Sequence, residues 1–405
     1  MTARPLSGNR AFRHLWTAQA VSAVGSRITR TVLPILALDL LGATASQVAV
    51  LSVLAVAPGL AVSLLAGGWI DRGAKRPMMI GADLLRAALL LTVPIAAALG
   101  LLGMAQIYLV AALAGAARTL FGIADSTFLP VIVDKPGLVG ANARLEATDS
   151  VAEGVGPFIG GVLVTAIGAP LALAVDAVTY LWSALHLGRI DVVESRRRRG
   201  AEDGTGLLSD ARAGLRAVRS HPLVASLLAV EVLTSFSGGF LYALYMVVAI
   251  EMLGLSPAVV GLIIGLGGLG SAFGALLAPW LKARLEDRDA LLLALAVGQA
   301  FGLVVPLALL FEDLAVPLLM SGQLIGDGFM TAFLILAVSL RQEVMPERVM
   351  GRANATFHLG EGLALTGGAL VAAGLVLVLP VSLVVWLSVL GGLLAVPLFL
   401  LGSRR

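Results

Sequence analysis

Long apolar stretches separated by short polar connections take up almost the entire chain. They run over approximately 12–40, 46–70, 77–99, 104–132, 143–167, 170–188, 222–252, 257–281, 289–311, 315–340, 353–378 and 380–402. Crossing the hydrocarbon core of a bilayer takes roughly 20 apolar residues in a helix, so the pattern predicts about twelve membrane-spanning helices joined by short loops. Gly and Pro recur inside the stretches, which membrane helices tolerate better than soluble ones. The first stretch lacks a convincing small-residue cleavage site and many more follow it, so it reads as the first helix rather than a removed leader.

One connection, 189–221, is long and polar. It holds the run Arg196-Arg197-Arg198-Arg199, a Gly-rich stretch, and an amphipathic segment from Leu207 to Arg219 with apolar positions at Leu208, Ala211, Leu215 and Val218. That segment is expected to lie along the membrane interface. The connection divides the chain into a bundle of six helices over 1–188, a linker over 189–221, and a second bundle of six over 222–405. The halves read as repeats. Pro136 followed by Ala141-Asn142-Ala143 is echoed by Pro346 followed by Ala353-Asn354-Ala355. Gly67, Asp71, Arg72, Lys75 and Arg76 align with Gly274, Ala278, Pro279, Lys282 and Ala283, where the glycine and one lysine are kept and the acid is lost. The expected fold is all-α, with two pseudo-symmetric six-helix bundles of the kind that give alternating access to a central site.

Charge sets the orientation. Basic residues cluster before the first stretch (Arg4, Arg10, Arg13) and in alternate connections: Arg72, Lys75 and Arg76; Lys135 and Arg144; the 189–221 linker; Lys282, Arg284 and Arg288; Arg341, Arg348 and Arg352; then Arg404 and Arg405. The connections near 41–46, 100–106, 167–170, 253–257, 312–316 and 379–381 carry none. This asymmetry predicts a multi-pass protein of the inner (plasma) membrane with both termini cytoplasmic. A composition 59% hydrophobic and 13% charged is too apolar for a soluble domain of 405 residues. The net charge of +3 does not call for nucleic acid, because the basic residues flank spans, where orientation and anionic lipid account for them. With no cysteine, disulfides and thiolate metal sites are excluded. No zincin, serine-hydrolase or nucleotide-loop motif occurs, so neither an enzyme nor an ATP-driven pump is expected, and no cofactor.

The segment Gly67-Gly68-Trp69-Ile70-Asp71-Arg72-Gly73-Ala74-Lys75-Arg76 resembles the cytoplasmic-loop signature of the major facilitator superfamily, between its second and third helices. Glycine there permits close helix approach, and an acid at a helix end can pair with basic groups or cap a neighbouring helix. The resemblance implies gating roles for Asp71 and Arg72, with Lys75 and Arg76 beside them. In the fifth stretch, Gly154-x-Gly156-Pro157-x-x-Gly160-Gly161 resembles the antiporter motif of the superfamily's drug exporters, with Ala152 where the longer pattern has a glycine. Gly156 and Gly160 would let another helix pack backbone to backbone, and Pro157 adds a bend. Asp83-Leu84-Leu85-Arg86, Asp176-Ala177-Val178-Thr179-Tyr180, Arg341-Gln342, Gly351-Arg352-Ala353-Asn354-Ala355 and the start Asn9-Arg10-x-Phe12-Arg13-x-Leu15-Trp16 are similar to the branch holding enterobactin-type siderophore exporters and macrolide efflux proteins. The likeness covers almost the whole chain. It departs at Ser26, where many relatives carry an acid.

Charges inside the spans need partners, protons or water, since an unpaired one costs roughly 2.5–3.5 kcal/mol at the bilayer centre. Asp83 and Arg86 are spaced to neutralise each other within one helix and are expected to lock a gate. His358 and Glu361 share that spacing, and either a local pair or a proton relay follows. Asp176 is expected to anchor its helix. The resemblance implies that the first, fourth, seventh and tenth helices line the central cavity. Their polar residues are then the candidate substrate and proton site: Arg30; Arg118 and Asp125; Glu231 with Phe236, Tyr242 and Tyr245; Gln323 and Asp327. A cavity of carboxylates and aromatic rings suits a bulky amphipathic or cationic molecule, and a carboxylate in low dielectric is pushed towards a form that exchanges protons. Glu231 or Asp327 is the expected coupling acid, with packing against Arg27, Arg30 or Arg118 as the alternative role.

The expected activity is proton-coupled export of a drug-like or secondary-metabolite molecule by a monomer, with membrane lipid as surroundings. A siderophore exporter and a lipid or lysophospholipid transporter of the same fold are the alternatives.

Overall fold

The computed structural model describes residues 8–65, 73–134, 137–192, 214–345 and 347–402. Asp71, Arg72, the tetra-arginine run and Leu207 to Ala213 lie outside them. Among the described residues, twelve long helical segments follow one another besides a short one over 214–219: α1 Arg10–Asp39, α2 Ala45–Leu65, α3 Lys75–Ala98, α4 Met104–Ile132, α5 Leu138–Ile167 and α6 Ala169–Gly188. Then come α7 Pro222–Met252, α8 Pro257–Arg284, α9 Asp287–Ala308, α10 Glu312–Val344, α11 Glu347–Leu375 and α12 Val381–Gly402. Among the described residues, eleven helices are long and apolar enough to span a membrane. The exception is α11, whose Arg352, His358 and Glu361 interrupt its apolar character.

Local chemistry fixes the ends. The Asn9 side chain accepts a hydrogen bond from the Phe12 amide at 3.0 Å, capping α1, and its amide group donates to the Ile132 carbonyl at 2.7 Å. One residue thus starts α1 and ties it to the end of α4. Gly168 sits at φ +82° between α5 and α6, a turn that a side chain would strain. Two helices leave the α-helical ladder for one turn. Val247–Met252 closes α7 as a π-helix, and Gly322–Gly326 is a π-turn within α10.

The chain divides into two compact units. The first comprises residues 1–43, 54–200 and 256–265; the second comprises 44–53, 201–255 and 266–405. In the first unit, α1 packs against α5 and α6, and α3 against α4 and α6. Buried positions along α1 (Leu15, Ala18, Ser22, Gly25, Ile28, Val32) recur at the three- and four-residue steps of one helical face. Phe12, Leu15, Met79, Phe128, Ala141 and Leu187 form a core cluster there. In the second unit, α7 packs against α11 and α12, and α9 against α10. Val224, Leu227, Phe333, Ala353, Phe357 and Phe399 belong to its core. Ala141 and Ala353, the matched alanines of the two sequence repeats, are both fully buried, each in its own unit's core.

The amphipathic segment behaves differently from a surface-lying helix over its described part. Residues 214–219 are helical, Val218 is fully buried in the second unit's core, and a Cβ on Gly214 would meet the Arg352 carbonyl at 2.5 Å. Over these residues the segment read as lying along the membrane interface packs at Gly214 against α11, while Leu208 and Ala211 fall outside the described residues.

Candidate functional site

Several intramembrane charges of the first unit are held by partners on their own or neighbouring helices. Asp83 and Arg86 on α3 form the ion pair that their spacing predicted, both almost fully buried. The Arg86 guanidinium also lies 4.2 Å from the Tyr180 ring centroid and 5.0 Å from that of Phe121. The arginine is therefore clamped between one carboxylate and two π-faces. Asp176 on α6, also fully buried, accepts hydrogen bonds from Thr29 and Thr179, the latter at 2.8 Å. Any side chain at Gly25 would run into it, so α1 and α6 meet at this carboxylate. Ser26, standing where an acid is common in similar proteins, has the Tyr180 hydroxyl at 2.9 Å instead.

A third group was not legible from helix-by-helix reading. Arg27 pairs with both Asp149 (2.7 Å) and Glu153, and Arg30 pairs with Glu153. Two arginines three apart on α1 thus meet two acids four apart on α5. The crossing that brings them together depends on the glycine motif. A Cβ on Gly156 would collide with the Arg27 side chain, and one on Gly160 would lie 3.3 Å from the Ile28 Cα. The same α5 surface meets the start of α8. A Cβ on Gly161 would fall on the Pro257 carbonyl, and one on Gly261 would fall on that of Pro157. The small residues therefore serve two close helix crossings, as their spacing predicted.

Arg118 and Asp125 do not pair. Seven residues on a helix is a separation of about 10 Å along the axis. Asp125 instead accepts a hydrogen bond from Gln19 on α1 at 2.5 Å, and Arg118 is exposed on α4. Of the basic gate residues, Arg76 donates to the carbonyls of Leu187 (2.8 Å) and Gly188, closing the end of α6. Lys75 Nζ donates to the Gly73 carbonyl at 3.0 Å.

The second unit holds the acids expected to couple transport. On α10 Gln323 lies within the π-turn and Asp327 directly follows it, and both side chains press on α8: a Cβ on Gly267 would lie 2.6 Å from Gln323 Oε1 and 2.8 Å from Asp327 Oδ2. The Tyr245 hydroxyl, within electrostatic reach of Asp327, is buried without a hydrogen-bond partner, and the α7 π-turn begins two residues beyond it. Single π-turns in membrane and soluble helices are frequent at functional sites. Among the described residues no basic side chain pairs with Asp327. Phe236 and Phe240 stack edge to face at 5.5 Å, and Tyr242 is partly exposed. Glu231 is buried apart from the tyrosines, beside Glu361 and Arg341. No group of three or more His, Cys, Asp or Glu residues that could hold a metal occurs among the described residues.

Paired charges, glycine-mediated crossings and an uncompensated acid on broken helices are the equipment of a carrier. The family model described as Major Facilitator Superfamily matches residues 15–357. The chain belongs to the Major Facilitator Superfamily. It is accordingly a multi-pass membrane transporter of a small molecule, not an enzyme. It is 28% identical over 325 residues to the uncharacterized MFS-type transporter y4rN of Sinorhizobium fredii, covering 76% of this chain and 77% of that one. It is 28% identical over 207 residues to the multidrug efflux pump Tap of Mycobacterium tuberculosis, a stretch covering 50% of this chain and 49% of Tap. Solved structures share the fold at low identity. A bacterial homologue of the iron transporter ferroportin in an inward-facing state aligns with TM-score 0.77 and 17% identity, covering 99% of this chain and all of that one. The nucleoside transporter NupG aligns with TM-score 0.77 and 12% identity, covering 98% of this chain and 99% of NupG.

Proposed function

We propose that this superfamily member exports a bulky, apolar or cationic drug-like molecule in exchange for protons, by alternating access. It does so as a monomer in the inner membrane with both termini in the cytoplasm. The observation that carries the reading is Asp327. An acid on a membrane helix with no basic partner is stable only when it holds a proton, meets water or receives a cation. Gln323 and Tyr245 beside it supply a hydrogen-bonding amide and hydroxyl, and the aromatic residues of α7 supply apolar surface. A single carboxylate that holds either a proton or the cationic group of a substrate couples the two by competition. The likeness to Tap supports the substrate class and the direction of transport. The arginines that would attract a polyanionic siderophore argue the other way, because Arg27 and Arg30 are already held by Asp149 and Glu153. Among the described residues, the fold likeness to the ferroportin homologue extends to no metal-ligand cluster.

One feature favours a second reading. A hollow of about 730 Å³ in the first unit is lined almost wholly by apolar side chains, among them Val62, Pro77, Met78, Leu85, Leu113 and Leu120. Its surface fits an acyl chain, as a lysophospholipid carrier would require.

The test is efflux of a cationic dye from cells expressing the protein. Asp327→Asn should insert normally yet reduce gradient-driven efflux to the level of cells lacking the protein. Unchanged efflux in this variant would remove the competition model. Filling the hollow through Gly81→Leu should leave dye efflux intact; loss of lysophospholipid movement instead would favour the second reading.

A further inference from the structure

Glu231 is not explained by Asp327. It lies on α7, only 3% exposed, with Oε1 unpartnered, and another acid, Glu361 of α11, interacts with it across the helix contact. The approach is built into the backbone. A Cβ on Gly368 would collide with the Phe236 carbonyl, one on Gly239 with that of Leu365, and one on Gly360 would lie 3.2 Å from the Val232 side chain. These contacts hold α7 and α11 close together at and just beyond the level of Glu231 and Glu361.

The remaining charged groups around the pair are few. From α10, Arg341 is 4% exposed, its guanidinium sits 3.9 Å from the Phe357 ring centroid, and its Nε and Nη1 have no hydrogen-bond partner. From α11, His358 Nδ1 lies 3.9 Å from Glu361 Oε2, and the histidine side chain is 81% exposed. The α12 segment, which also packs on α7, contains no titratable residue. Ionised carboxylates only accept hydrogen bonds, so two of them in contact require a proton between them. The charges agree: two carboxylates and one guanidinium leave one negative charge, and a single proton makes the cluster neutral, with Glu361 34% exposed beside the buried Glu231 and Arg341.

We propose that Glu231 and Glu361 form a second proton site, an acid pair that shares one proton, is balanced by Arg341, and loads through His358. In loading, protonated His358 gives its Nδ1 proton to Glu361 Oε2. The imidazole becomes neutral, the carboxylate becomes a carboxylic acid, and the new O–H donates to Glu231. Emptying the site reverses these steps. The use of this proton in transport rests on the proton-coupled reading above; its existence does not.

The experiment is infrared difference spectroscopy of the purified protein in lipid, following the carboxylic-acid C=O band as pH crosses neutrality. No substrate is needed, so the result stands apart from the exporter reading. Because Asp327 can hold a proton of its own, the pair is read in the Asp327→Asn background, as the component of the band that a further change at Glu231 or Glu361 removes. That component should vanish in Glu231→Gln and equally in Glu361→Gln, because either amide leaves a lone carboxylate that Arg341 neutralises. In His358→Ala the band should persist, but its response to a pH jump should slow by about tenfold or more. In the Asp327→Asn background, a band left unchanged by Glu231→Gln or by Glu361→Gln overturns the shared proton. An unchanged pH-jump rate in His358→Ala overturns the route. A band that behaves as stated, with no compound moving protons in vesicles, would leave the acid pair standing and sink the export reading.

Discussion

Gly161→Val should abolish transport while leaving the protein in the membrane. The Cβ of any residue at 161 would fall on the Pro257 carbonyl oxygen, lie 2.9 Å from its carbon and 3.1 Å from the Ala258 Cα. All three are backbone atoms, so no rotamer change relieves the clash and α5 must separate from the start of α8. A Cβ on Gly265 would likewise lie 2.5 Å from the Gly154 carbonyl oxygen, so the crossing has no slack. Forcing extra volume into a packed contact costs about 1–3 kcal/mol, and two branched methyl groups against backbone belong at the upper end. A control comes from Gly122 and Gly238, where a Cβ meets nothing within 4 Å. Gly122→Ala should transport like the wild type. Efflux and thermal unfolding in detergent measure both effects; wild-type efflux in Gly161→Val would show that the crossing does not matter to the cycle.

Asp83→Asn carries the second large effect. It leaves Arg86 charged and nearly fully buried, with the rings of Phe121 and Tyr180, the Ala82 carbonyl at 3.4 Å and the more distant Asp176 as its remaining surroundings. Removing one partner of a buried ion pair costs about 3–5 kcal/mol, because the remaining charge is stranded. The variant should accumulate poorly and unfold at a lower temperature. Asp83→Asn combined with Arg86→Leu should recover much of that stability, since nothing charged is left uncompensated. Transport should stay low in the double variant if the pair also locks a gate. Equal unfolding temperatures for wild type and Asp83→Asn would mean that water reaches Arg86.

Interactions confined to one helix were legible in the sequence. Asp83 and Arg86 are one turn apart, so the helix itself delivers the contact, and the same holds for His358 and Glu361. The glycine motif was also legible, because only small residues allow backbone contact, whichever helix provides the partner. Contacts between helices were harder. Asp125 finds Gln19 rather than Arg118, since sharing a face does not bring residues two turns apart within reach. Asp149 and Glu153 escaped notice although they neutralise Arg27 and Arg30. Charge spacing on two helices flanking the Gly156 motif was the signal that could have found them. Nothing in the composition of Gly322–Gly326 or Val247–Met252 distinguishes a π-turn from an α-turn, because that choice is made by packing. The family followed from motifs spread along the whole chain. The substrate did not, because an apolar and aromatic surface leaves no compact motif.

The most direct measurement is proton movement in inverted vesicles holding an acidic interior, with internal pH followed by a dye. Adding cationic amphipathic drugs should dissipate the gradient in vesicles with the wild-type protein. In Asp327→Asn vesicles dissipation should fall to the level of vesicles without the protein, and catechol siderophores should have no effect on either. Wild-type dissipation by siderophores alone, or identical dissipation by drugs in the Asp327→Asn vesicles, would contradict proton-coupled export through this carboxylate.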